Sequence, residues 1–86
     1  MSWGVETAKK FTEEKIKECL TALDSGEYGI VVRAKGIVAE GSGKWIHFDY
    51  VPEENNIRFG TAEVIGRLCV IGSKLDKAKL AELFEV

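Results

Sequence analysis

His47 is the only histidine of the chain, and Asp49 stands two residues beyond it. On a β-strand that spacing puts both side chains on one face. An imidazole beside a carboxylate is the beginning of general acid–base chemistry. The remainder of such a machine is missing, because no serine or cysteine nucleophile falls beside His47 in the pattern. The same two residues, with Cys69 or Cys19, are also types that ligate zinc. Ligands from these positions would have to come from both faces of a sheet, or from helix and sheet together. His47, Asp49 and Cys69 are therefore candidate metal ligands, and the plainer account of His47 is a surface or interface histidine. The cysteines lie far apart in apolar periodic segments without a CxxC pair, and read as two buried free thiols.

Other motifs carry less. Glu40-Gly41-Ser42-Gly43-Lys44 looks like a shortened phosphate loop. It falls between two strands, however, and not at a strand-to-helix junction where N–H groups converge on phosphate. A hairpin loop accounts for it better, and no complete nucleotide motif is present. Arg33 and Lys35 could hold an anion; a solvated or salt-bridged strand face is the plain alternative. Ile37, Trp45 and His47 beside Arg33 have the composition of a protein-contact surface.

The elements that must position these residues follow from size and pattern. A chain of 86 residues, 45% apolar and 30% charged, makes one small globular domain spanning 1–86. It buries roughly 60–65% of its unfolded surface, so the core is modest. A net charge of −2 gives no basic footprint, so nucleic acid is not an expected partner. No apolar run approaches about 18 residues and no signal-peptide pattern opens the chain, so the expected location is the cytoplasm, away from membranes.

Residues 1–10 lack clear periodicity and read as a poorly structured opening segment at a cut domain boundary. Trp3 is expected either to pack on the sheet or to meet a neighbouring domain. Thr12 to Leu23 reads as a helix, with Thr12 as N-cap, Glu13 and Glu14 in the first turn, and Phe11 and Ile16 as staple. Ile16, Cys19, Leu20 and Leu23 form its apolar stripe. Asp24-Ser25-Gly26 ends it.

Gly29 to Val51 reads as a hairpin. A three-residue loop, Gly41-Ser42-Gly43, sets Val38 opposite Ile46, Gly36 opposite Phe48 and Ala34 opposite Tyr50. Small residues then meet large ones across the strands, with Gly43 at a positive-φ bulge position. Ile30, Val32, Ala34, Gly36 and Val38 are expected on the core face. Arg33, Lys35 and Ile37 fall on the other face with Trp45, His47 and Asp49. There Lys35 is set opposite Asp49, Ile37 opposite His47 and Ala39 opposite Trp45. Ile57-Arg58-Phe59 is a short third strand. Arg67 to Ile71, almost continuously apolar, is a fourth and central one. Asp76 caps a last helix, whose stripe is Leu80, Leu83 and Phe84. The expected class is α+β: a helix, a four-stranded mostly antiparallel sheet and a second helix, with both helices on one face.

Several of these runs together carry a resemblance. They are Arg33-Ala34-Lys35-Gly36, Trp45-Ile46-His47-Phe48-Asp49-Tyr50-Val51, and Arg67-Leu68-Cys69-Val70-Ile71-Gly72 followed by Leu75-Asp76. They resemble the C-terminal domain of CobW-type GTPases, the metallochaperone GTPases linked to cobalamin synthesis, zinc handling and nitrile hydratase activation. Ser2-Trp3-Gly4-Val5-Glu6-Thr7, leading into Phe11-Thr12-Glu13-Glu14, is similar to the run that enters that domain.

In that family the GTP site and the cysteine-rich metal motif belong to an upstream domain, and neither motif occurs here. The resemblance thus implies a non-enzymatic accessory domain with no cofactor of its own. Its expected partners are the GTPase domain, a metal-receiving client protein, or a second copy of the chain. The expected working surface is Arg33, Lys35, Ile37, Trp45 and His47. The alternative is direct binding of zinc or cobalt.

Overall fold

The computed structural model describes residues 1–86. In chain order the elements are β1 (Ser2–Thr7), α1 (Glu13–Ala22) with a 3₁₀ turn (Leu23–Ser25), β2 (Ile30–Ala39), β3 (Trp45–Val51), β4 (Glu54–Gly60), β5 (Gly66–Ser73) and α2 (Lys77–Phe84). The strands form one antiparallel sheet in the order β1-β5-β2-β3-β4. The α+β class and the helix-covered sheet match the expectation; the strand count does not.

The fifth strand is β1, within the segment expected to be poorly structured. Its partner is β5, from Ser2 opposite Ile71 to Thr7 opposite Gly66. Trp3, Val5 and Thr7 are half-buried while Ser2, Gly4 and Glu6 are exposed, the alternation of an edge strand. Six residues with a glycine among them give too short a pattern to stand out without the distant partner. Trp3 turns inward and stacks on Phe84 of α2, ring centroids 6.0 Å apart. With β1 on one side and β2 on the other, β5 is an interior strand, as its sequence indicates.

The hairpin register is the expected one, from Ala34 opposite Tyr50 to Ala39 opposite Trp45. Glu40 N–H donates to the Lys44 carbonyl at 2.9 Å, and Gly43 has φ +93°. The Glu40 carboxylate closes the loop by accepting from the backbone N–H of Ser42 at 2.9 Å and from its hydroxyl. Gly36 lies under the Phe48 ring. A Cβ there would come within 2.6 Å of both Phe48 Cζ and the Arg67 carbonyl, so the ring requires a glycine beneath it.

Strand β2 departs from simple alternation at its start. The pairing with β5 shifts between Val31 and Arg33, where one extra residue forms a bulge. One inserted residue exchanges the faces of everything before it. Val31 is consequently buried, while Ile30 and Val32, expected in the core, are 59% and 51% exposed.

The helices form as their caps dictate. Thr12 Oγ1 accepts the Lys15 N–H at 3.0 Å, and an Asp76 carboxylate oxygen accepts the Lys79 N–H at 3.1 Å. Phe11, Ile16, Cys19, Leu20 and Leu23 from the first helical segment join Leu75, Leu80 and Phe84 from the second in one core with Ala34, Val38, Ile46, Phe48, Tyr50, Leu68 and Val70 of the sheet. The helices also meet each other. Cys19 Sγ donates to the Leu83 carbonyl at 3.5 Å, and Lys15 pairs with Glu85 at 2.6 Å. Asp24, just past α1, accepts from the Tyr50 hydroxyl and from the Glu53 N–H at 2.8 Å, which pins the helix end to the β3–β4 turn.

Candidate functional site: the open face of the sheet

The helices leave the second face of the sheet uncovered, and the alternation of the strands decides what stands there. β2 presents Arg33, Lys35 and Ile37; β3 presents Trp45, His47 and Asp49; their register sets Lys35 beside Asp49 and Ile37 beside His47. The expected surface residues therefore share one face. Two neighbouring strands add Arg58 and Arg67, which sequence reasoning missed, and Cys69, which it named only as a candidate metal ligand. Arg58 of β4 stands opposite His47, and Cys69 of β5 stands opposite Lys35. Arg67, two residues before Cys69, completes the lining of a shallow groove of about 440 Å³.

Charge is distributed unevenly across this groove. The Asp49 carboxylate is engaged by Arg58 at 2.9 Å and by Arg33 at 4.0 Å, both from flanking strands. Lys35, its partner in register, makes no ion pair. Arg58 is further fixed by donating to Asn56 Oδ1 at 2.9 Å, and Arg67 pairs with Glu63 at 2.6 Å. Lys35 and Arg33 are thus the cations freest to meet something else. These exposed pairs add little stability, so their geometry matters more as a charge pattern than as a brace.

His47 is held rather than poised. Its Nε2 lies 2.9 Å from the Thr61 carbonyl oxygen, a contact that places the proton on Nε2. The ring lies against Gly60, where an added Cβ would approach Nε2 to 2.6 Å. With Nε2 donating to the main chain and Asp49 held by arginines, the pair lacks the mutual hydrogen bond of an acid–base couple. Trp45 is half-buried between the small residues Ala39 and Gly60, at the hairpin end of the groove.

The cysteines part company. Cys19 is fully buried beneath the other face, and burial pushes its thiol up to about 11. Cys69, expected to be buried too, is half-exposed in the groove because it alternates with the inward Leu68 and Val70. His47, Asp49 and Cys69 therefore lie on one face and not on two, which corrects the expectation from sequence. They do not converge: no three His, Cys, Asp or Glu side chains gather around a point that could hold an ion. The placement of Cys69 was legible in principle, since Leu68, Val70 and Gly72 are the alternates that a one-sided strand would bury.

The fold is thus a two-layer α+β domain with one helix-covered and one bare, charged sheet face. Residues 1–86 match the family model of the cobalamin synthesis protein cobW C-terminal domain, and the chain belongs to that family. No curated protein matches the chain. Among solved structures it is similar to the Zn(II)-bound YjiA GTPase from E. coli, with a TM-score of 0.78 and 16% identity over 98% of this chain. It is similar also to a Zn(II)-bound triple mutant of YjiA GTPase, with a TM-score of 0.81 and again 16% identity over 98% of the chain. At that identity the likeness is one of fold. The chain spans 28% of the length of each of these structures.

Proposed function

We propose that this chain acts as the accessory, non-catalytic domain of a CobW-type GTPase system, serving metal delivery or cobalamin synthesis. It works by docking through the open sheet face on the GTPase domain or on the client protein. The observation that carries this reading is the asymmetry of the sheet. One face is sealed by two helices, while the other displays Arg33, Lys35, Ile37, Trp45 and His47 around a groove. Accessible aliphatic and aromatic side chains beside loosely paired cations are the composition of a contact surface. Membership of the family and the fold shared with one part of a larger GTPase support the accessory role.

The test uses a full-length homologue carrying alanine at the positions of Lys35 and Trp45. Client activation and GTPase rate are measured together. Loss of either with the fold intact supports the assignment; wild-type values for both overturn it.

One observation keeps a second reading in play: His47, Asp49 and Cys69 share the groove face. With Nε2–H on the Thr61 carbonyl, Nδ1 is the ring nitrogen of His47 left to meet zinc or cobalt. Cobalt titration separates the readings. Thiolate absorption abolished by Cys69→Ser establishes metal binding, and no absorption at micromolar metal excludes it.

A further inference from the structure

We propose that the open groove takes an extended, acidic segment of a partner protein, with apolar side chains flanking its carboxylates. This rests on the docking reading above and adds the chemistry of what docks.

Charge is the first ground. The groove is lined by Arg33, Lys35, Arg58 and Arg67, with Asp49 as the one carboxylate. That positive excess belongs to a chain whose net charge is −2, so the rest of the molecule is more negative than the whole. A field concentrated in a concave site steers and orients a partner of opposite sign. The spacing is the second ground. Arg33 and Lys35 are alternate residues of one strand and stand on the same face, so their stems lie about 7 Å apart. Alternate side chains of an extended peptide repeat at the same interval. A segment with carboxylates at every second position can therefore meet Lys35 and Arg33 in succession, with the guanidinium offering a two-pronged contact.

The apolar borders are the third ground. At one end the groove reaches Ile37, and Trp45 stands outside its lining on the same face, opposite Ala39. At the other, the β2 bulge turns Val32 and Ile30 outward beside Ile71, leaving them 51%, 59% and 40% exposed. A bulge that removes two aliphatic side chains from the core and adds them to a bare face is a feature of a binding edge. A phosphate backbone fits less well. Asp49 sits mid-groove, the chain is acidic overall, and Trp45 is a lone aromatic where single-strand binding uses several.

The probe is a fluorescein-labelled extended peptide with leucine, glutamate, glutamate and leucine at successive alternate positions and serine between them, so that all four share one face. It is compared with its glutamine-for-glutamate counterpart by anisotropy at low and physiological salt. The glutamate peptide is expected to bind more tightly, to weaken as salt rises, and to lose about tenfold or more with Lys35→Glu combined with Arg33→Glu. Lys79→Glu, on exposed α2, leaves binding unchanged. Lys35→Gln gives a smaller loss in the same direction without reversing charge. Equal binding of both peptides, weakened by Trp45→Ala, overturns the acidic chemistry and leaves the docking face standing. No saturable binding of the glutamate peptide overturns the proposal, and indifference of any observed binding to Trp45→Ala as well overturns the docking face. Tighter binding of a single-stranded oligonucleotide or of phosphatidylserine vesicles than of the glutamate peptide overturns it in favour of phosphate recognition.

Discussion

The same strands build both faces of the sheet, yet neighbouring residues on them are used in opposite ways. Phe48 lies 2% exposed under the helices, its ring over Gly36. His47, one residue earlier, lies on the bare face with its ring over Gly60 and its Nε2 on a main-chain carbonyl. Each face thus places a ring over a glycine, but only the inner ring is sealed by apolar neighbours. On the inner face packing decides everything, and a methyl group is felt. On the outer face the groups are held by hydrogen bonds and long-range charge, so their removal costs the fold little and leaves any effect to binding.

That contrast can be broken or sharpened by substitution. Phe48→Ala removes a sealed aromatic, and is expected to cost about 3–5 kcal/mol in urea unfolding. A loss below about 1 kcal/mol would mean that the inner face is not the core. Gly36→Val drives a side chain into Phe48 and the Arg67 carbonyl, for a loss of about 1–3 kcal/mol. Tyr50→Phe deletes the hydroxyl that donates to Asp24 and gives a smaller loss with a pH signature. The Tyr50 hydroxyl, and after it the Glu53 N–H, hold the Asp24 carboxyl below the usual carboxylate range. A depressed folded pKa stabilises above the unfolded value, and that contribution disappears as pH falls through the folded one. The gap between wild type and Tyr50→Phe should therefore be full at neutral pH and close on acidification below the usual carboxylate range. Least of all, Lys35→Glu on the bare face should change stability by no more than about 0.5 kcal/mol.

Legibility in the sequence divides along the same line. The hairpin register was readable because glycine and alanine meet phenylalanine and tyrosine across it, a local complementarity that only one loop length satisfies. Both helix caps were readable for a similar reason, since Thr12 and Asp76 act within one turn. What escaped depended on partners far along the chain. β1 is a strand because β5 accepts it, and the bulge at Val32 arises in the pairing of β2 with that same strand. Within the candidate site, Arg33, Lys35, Ile37, Trp45 and His47 could be placed on one face from the hairpin alone. Arg58 could not, because its position requires the register of β4 against the hairpin. The outward side of Arg67 and Cys69 was legible only from the alternation of β5 itself, and their place beside the hairpin requires its register.

The central claim is that the bare face, and not the helical face, meets the partner. Amide chemical-shift mapping of this chain titrated with a CobW-type GTPase domain tests it most directly. Shifts concentrated on Arg33, Lys35, Ile37, Trp45 and His47, with α1 and α2 silent, are the predicted result. Shifts confined to the outer surfaces of α1 and α2, with β2 and β3 unmoved, would contradict it.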